Sequence, residues 1–247
     1  MQAVLYPLLG LVLGSFLNLC IDRLPRGESI LTAHSHCDAC GHTLGPLDLV
    51  PILSYLALGG RCRNCRARIS LRSPLVELGT AVLFALVWLR FSTSLQGVLV
   101  ALYGCLLIPI LVIDLEHHRV LNALSYPAIA LGLAAAVIVP GRSPWEMLAG
   151  GGLGFAVLLV LALAYPAGMG MGDVKLAAFI GLAVGHPQVL LALFLAFLFG
   201  GALSGILVLV KAIGRRDPIA FAPFLAAGAM TTLFFGDQIL GWWMART

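Results

Sequence analysis

Two aspartates and four cysteines carry most of the chemistry open to this 247-residue chain. Asp114 closes an apolar run in Leu111-Val112-Ile113-Asp114-Leu115-Glu116, and Asp173 opens another in Gly168-Met169-Gly170-Met171-Gly172-Asp173-Val174-Lys175. An acid at the edge of an apolar segment is costly unless it is paired or has work to do. Two carboxyl groups in contact share one proton, because both cannot ionise cheaply side by side. The ionised member can then act as general base on a water, and the protonated one can polarise a scissile carbonyl. That chemistry needs neither a metal nor a covalent intermediate. Gly168, Gly170 and Gly172 fit a loop that approaches an extended chain closely or adopts unusual dihedrals. Plainer readings stand beside this one. Asp173 could cap a helix N-terminus or pair with Lys175, Asp114 could pair with Arg119, and Glu116 is an equal candidate for the partner role.

The cysteines form two pairs, Cys37-Asp38-Ala39-Cys40 and Cys62-Arg63-Asn64-Cys65. Two such pairs about 20 residues apart suit a tetrahedral zinc site in which each pair sits on a tight turn. Arg61, Arg63 and Arg66 would offset the negative charge of the thiolates, and Gly41 suits the turn after the first pair. Four protein ligands leave no open position for water, so the metal would be structural. The alternatives are two disulfides, which need an oxidising compartment, and a thiol-redox pair. His34, His36 or His42 could replace a cysteine ligand. Cys20 and Cys105, by contrast, lie in apolar runs and read as packing residues.

Lipid is implied by the composition around these residues. The chain is 60% hydrophobic and only 11% charged, far from a soluble domain's share of charge. Runs such as Met1–Ile21, Val120–Gly141 and Met147–Gly172 are uncharged and long enough to cross a bilayer as helices. Their apolar stretches are continuous, which argues against a β-barrel. The reading is therefore an all-α polytopic membrane protein of about eight transmembrane helices, near 3–21, 74–90, 97–114, 121–140, 147–165, 172–185, 188–210 and 219–242. Gly185-His186-Pro187 marks the break between the sixth and seventh. Three parts follow: a first span (1–21) read as retained rather than cleaved, a tetracysteine domain (22–73) resembling a zinc ribbon, and a seven-helix membrane core (74–247). With eight spans, every Lys and Arg except Arg90, Arg142 and Arg246 falls on one side. The positive-inside rule makes that side cytoplasmic, with both aspartates at its edge. The net charge of +4 is small and does not indicate nucleic acid as a partner. A transporter or a membrane thiol oxidoreductase remains compatible with spans, acids and cysteines alone.

The order of motifs narrows this. Gly168 to Leu176 resembles the signature of type IV prepilin peptidases, within the GxGD class of membrane aspartyl proteases. Gly14-Ser15-Phe16-Leu17-Asn18 through Asp22-Arg23-Leu24-Pro25-Arg26-Gly27-Glu28-Ser29 resembles that family's N-terminal motif, and Cys37–Cys65 its cysteine-bearing domain. Arg72-Ser73-Pro74-Leu75-Val76-Glu77 and Ile219-Ala220-Phe221-Ala222-Pro223-Phe224-Leu225 are similar to two further family segments. The resemblance implies that Asp114 and Asp173 are the catalytic pair, with Gly168, Gly170, Gly172 and Lys175 in the active-site loop. It implies prepilins or type II secretion pseudopilins as substrates, cut after a glycine on the cytoplasmic side of the bacterial inner (cytoplasmic) membrane. It also implies N-methylation of the new terminus by S-adenosylmethionine, for which no soluble-type glycine-rich cofactor loop is visible. Glu77 and the 22–73 segment are where that site would be sought. The chain departs from the family pattern at Leu121-Asn122, where Pro-Asp or Pro-Asn is usual, at Ser125-Tyr126, where Thr-Leu is common, and at Ala222, usually glycine.

Overall fold

The computed structural model describes residues 2–30, 35–37, 39–139, 143–166, 168–212, 214 and 219–245. Among residues named above, Met1, His34, Asp38, Gly141, Arg142 and Arg246 lie outside them. Among the described residues the regular structure is helical, with only two isolated β-bridges, His36–Thr43 and Arg61–Arg68. In chain order the helices are α1 (Gln2–Arg23), α2 (Leu53–Ala57), α3 (Arg72–Phe91), α4 (Leu95–His117), α5 (Asn122–Ile138), α6 (Pro144–Ala164), α7 (Met171–Val184), α8 (Gln188–Leu209) and α9 (Ala222–Met244).

Six of these, α1, α3, α4, α6, α8 and α9, are long and apolar enough to cross a membrane. The helices at the fourth and sixth expected spans are shorter: α5 has 17 residues and α7 has 14. At 1.5 Å per residue α7 is about 21 Å long, less than a hydrocarbon core. Among the described residues six helices of crossing length thus stand where eight spans were expected, and α7 is instead enclosed by protein. Val174, Leu176, Ala177, Phe179 and Ile180 are essentially without solvent access, and α7 packs against α5, α6, α8 and α9. A helix apolar all round and enclosed by protein does not need to match the lipid thickness itself. The break at Gly185-His186-Pro187 separates α7 from α8, with Gly185 at φ +81° and a cis peptide before Pro187.

The chain divides into two compact units, Met1–Pro109 and Ile110–Thr247. In the first, α1 lies against α3. A Cβ added at Gly10 would come 2.7 Å from Ala81 Cα, and one at Gly14 would come 2.7 Å from Glu77 Cα. Glycines four apart thus let the two backbones touch, the close approach that drives helix pairing in lipid. The same device fixes α7 in the second unit, where a Cβ at Gly150 of α6 would lie 2.5 Å from Gly181 O. Because α7 carries Asp173 in its first turn, this packing sets the position of that carboxyl.

Candidate active site

Asp114 sits in the last turn of α4 and is 5% exposed. Its Oδ2 accepts the backbone N–H of Ala222 at 3.0 Å. Ala222 is the first residue of α9, so the carboxyl faces a helix N-terminus, where unpaired amides and the macrodipole favour negative charge. Asp173 is the third residue of α7, after Gly170 at the N-cap. Its own N–H donates to Gly170 O at 3.1 Å. The carboxyl thus lies in the first turn of α7, where the helix-capping reading puts it, and its Oδ1 is buried with no hydrogen-bond partner. Asp114 and Asp173 are close enough for their charges to interact.

The other partners read from the sequence are not assembled. Among the described residues Asp114 forms no ion pair with Arg119, which is exposed. Glu116 points away from Asp114, being exposed while Asp114 is buried, as residues two apart on a helix must. Lys175 does not pair with Asp173. Its Nζ donates to Asn122 Oδ1 at 2.7 Å and Tyr126 OH at 3.2 Å, and lies 4.9 Å from the centre of the Tyr126 ring. Lys175 thus ties the start of α7 to the start of α5. The glycines behave differently from the expectation of unusual dihedrals. Gly168, Gly170 and Gly172 all keep ordinary negative φ. What Gly172 supplies is room: a Cβ there would meet Val120 Cβ at 2.7 Å. The connection between α4 and α5 therefore runs directly over the start of α7.

Three contributors escape sequence reasoning: the Ala222 amide, Asn122 and Tyr126. The segment 219–225 and the Leu121-Asn122 and Ser125-Tyr126 positions drew notice only as motif and as departures from one. A further buried acid lies in the first unit. Glu77, 8% exposed, accepts the Ile52 N–H through Oε2 at 2.7 Å, which pins the loop after Pro51 to α3. Close by, Asn18 Nδ2 donates to Ser73 O at 3.0 Å while its Oδ1 is buried and unpartnered.

The four cysteines converge. Their sulfurs all lie within 4.8 Å of one another, with Cys37 Sγ and Cys65 Sγ 3.8 Å apart. Zinc–sulfur bonds of 2.3 Å in a tetrahedron put the sulfurs about 3.8 Å apart, so the set fits such an ion. All four are free thiols, and the two-disulfide alternative is not what the fold builds. No histidine joins the cluster among the described residues. The two pairs are a structural repeat. Cys37 N–H donates to His42 O and Gly41 N–H to Cys37 O; Cys62 N–H donates to Ala67 O and Arg66 N–H to Cys62 O. Gly41 and Arg66 take the same left-handed turn, at φ +68° and +61°. Backbone amides of Cys65 and Asn64 push the Cys62 thiol down to about 6. The His42 amide likewise holds the Cys40 thiol below its ordinary value. Both are thus biased toward the thiolate that binds metal.

With this geometry in place, comparison with known proteins is informative. Residues 8–91 match the bacterial peptidase A24 N-terminal domain, and residues 99–205 match the type IV leader peptidase family. A relative from Bacillus subtilis (strain 168) is 36% identical over 244 residues, covering 99% of this chain and 98% of its own. One from Pseudomonas aeruginosa is 33% identical over 260 residues, covering 94% and 90%. One from Myxococcus xanthus is 36% identical over 221 residues, covering 87% and 65%. Each of the three is named prepilin leader peptidase/N-methyltransferase. No solved structure matches the chain.

Proposed function

We propose that this chain, which belongs to the type IV leader peptidase family, is a membrane aspartyl endopeptidase that removes the leader of type IV prepilins or type II secretion pseudopilins and then methylates the new N-terminus. The observation that carries the reading is that Asp114 and Asp173, on separate helices, lie near enough for their charges to interact, with one buried carboxyl oxygen uncommitted. The pair shares one proton. Asp114, bonded to the α9 amide, is placed to keep the negative charge. Asp173, whose Oδ1 lacks a partner, is placed to carry the proton.

The reaction then balances simply. Asp114 removes a proton from a water as the water's oxygen bonds to the carbonyl carbon of the glycine that precedes the scissile bond. Asp173 donates its proton to the carbonyl oxygen, giving a neutral tetrahedral diol. On collapse the C–N bond breaks and the departing amine takes the proton held by Asp114. A hydroxyl proton of the diol returns to Asp173 as the acid product forms. Cleavage takes place on the cytoplasmic side of the inner membrane, supported by the bias of Lys and Arg to the loops beside both aspartates.

Four cysteine ligands fit a structural zinc, held by Cys37, Cys40, Cys62 and Cys65. For the second activity, S-adenosylmethionine would supply an electrophilic methyl group to the free amine. In the first unit, the orphaned acceptor Asn18 Oδ1 and the buried Glu77 carboxyl fit the ammonium and hydroxyl donors of such a molecule.

The test is cleavage of several prepilins by the purified protein in liposomes, read alongside ion flux through the same liposomes. Cleavage without flux is the expected outcome. Flux with no cleavage of any prepilin would replace the peptidase by a transporter.

The Lys175 tie predicts a graded series. Tyr126→Leu removes both ring and hydroxyl and is expected to lower kcat about tenfold with little change in KM, as loss of positioning does. Tyr126→Phe keeps the ring under the ammonium and should stay within about threefold of wild type. Equal kcat for Leu and wild type would show the tie to be incidental.

A further inference from the structure

The segment between α1 and α3 holds two features that lie outside both the dyad and the four cysteine ligands. The first is a set of exposed leucines. Leu47, Leu53 and Leu56 are 74%, 65% and 67% exposed. Leu53 and Leu56 share a face of α2, being three apart on a helix. Leu47 lies on the Pro46–Asp48 turn that packs beside α2. Leu71, immediately before α3, is 67% exposed. Such a patch on a polar segment marks a contact surface.

The second feature is a pair of opposed arginines. Arg61 and Arg68 face each other across the antiparallel bridge of the second cysteine turn. Cys62 N–H donates to Ala67 O at 2.9 Å and Ile69 N–H to Gly60 O at 2.8 Å. Those bonds flank the pair, so Arg61 and Arg68 are its non-hydrogen-bonded kind, in which opposing side chains come closest. Like charges there repel. Asp48 does not relieve them, because it is engaged by Arg63 at 2.8 Å. Among the described residues neither Arg61, Arg66 nor Arg68 has a carboxylate partner. An anion between the two guanidinium groups would turn the repulsion into attraction.

The tether fixes which anion is near. Both ends of the segment run into helices long enough to cross the bilayer, α1 and α3. Arg68 stands four positions before the first residue of α3, so at most about 14 Å of extended chain lies between them. That keeps the arginines within reach of the headgroup layer, whose anionic phosphates attract basic residues beside a membrane span.

We propose that this segment is an interfacial element: the Leu47, Leu53 and Leu56 face enters the headgroup boundary of an anionic bilayer, and Arg61 and Arg68 together hold a lipid phosphate. The site is independent of the peptidase reading and needs only the membrane setting of α1 and α3. It gives the cysteine cluster a second role, as the clip that holds two arginines side by side at the lipid surface.

The test is hydrogen–deuterium exchange of the full chain in nanodiscs of phosphatidylcholine alone and with phosphatidylglycerol. Peptides spanning 44–58 and 60–70 should exchange about tenfold more slowly in the anionic discs, with the difference removed by 0.5 M salt. Arg61→Gln with Arg68→Gln should abolish the lipid effect while zinc content is unchanged; Arg61→Lys with Arg68→Lys should keep most of it. Leu53→Gln with Leu56→Gln should weaken it without altering zinc. Equal exchange in the two lipids overturns the proposal. So does a loss of zinc in the Gln variant with no lipid effect in wild type, which would assign the arginines to balancing the thiolates. Protection by inorganic phosphate in phosphatidylcholine discs, or by added prepilin but not by lipid, overturns it as well.

Discussion

Asp114→Asn and Asp173→Asn are each expected to lower prepilin cleavage by at least ~10³-fold, the upper range for loss of a positioned acid or base. The substitution keeps size and polarity but removes the shared proton. At Asp114 an amide oxygen can still accept the Ala222 N–H, so α9 keeps its cap and folding should survive. At Asp173 the substituted oxygen Oδ1 has no hydrogen-bond partner to lose. Thermal unfolding and zinc content should therefore stay near wild type in both variants, separating chemistry from stability. The double variant should be no slower than either single one, because two carboxyls that share a proton act as a unit. A variant that keeps more than about one tenth of wild-type activity would place its aspartate in a merely structural role. Multiplicative loss in the double variant would mean the two residues act in separate steps.

The two acids were legible because an ionisable group at the end of an apolar run must be accounted for. Their nearness to each other was not, since nothing in a sequence sets the distance between helices. Helix phase resolves the ambiguity between Asp114 and Glu116: the former is buried and the latter exposed. The Ala222 donor was illegible for a different reason. It is a backbone N–H 108 residues from its acceptor, and a backbone amide has no letter in the sequence. The glycines around Asp173 were read as allowing either close approach or special dihedrals, and at Gly172 it is close approach, because Val120 occupies the space a side chain would take. Such a close approach depends on where another segment runs, which local pattern does not encode.

The six helices of full length stand out by hydropathy. The two short ones, α5 and α7, were placed within a few residues, but hydropathy does not distinguish an apolar helix facing lipid from one enclosed by other helices. For α7 the enclosure is nearly complete, and its 14 residues follow from that. The tetracysteine turns were the most local feature and the most readable. Their ligand set, spacing and turn glycine at Gly41 all lie within a few residues of each other, so little tertiary information was needed.

Removing zinc is expected to abolish the folded state of the cysteine segment altogether. Between residues 35 and 70 only Gly60 and Cys62 are buried among those described. With no apolar core, the backbone bonds of the two cysteine turns must be held by the metal, whose binding in comparable sites is worth about 10–16 kcal/mol. The Glu77 bond to Ile52 anchors the segment at one point and cannot order the turns around residues 37–42 and 62–67. Cys62→Ser, or treatment with a strong zinc chelator, should therefore reduce bound zinc from one per chain to none and raise deuterium uptake across 35–70 to the level of an unfolded chain. Helices α6 to α9 lie in the other compact unit and should keep their protection, so the change should be confined. Cys20→Ser and Cys105→Ser, in α1 and α4, should leave zinc content untouched. Protein purified without zinc, with all four thiols freely titrating and the segment still protected from exchange, would show that the cluster is held by something other than a metal.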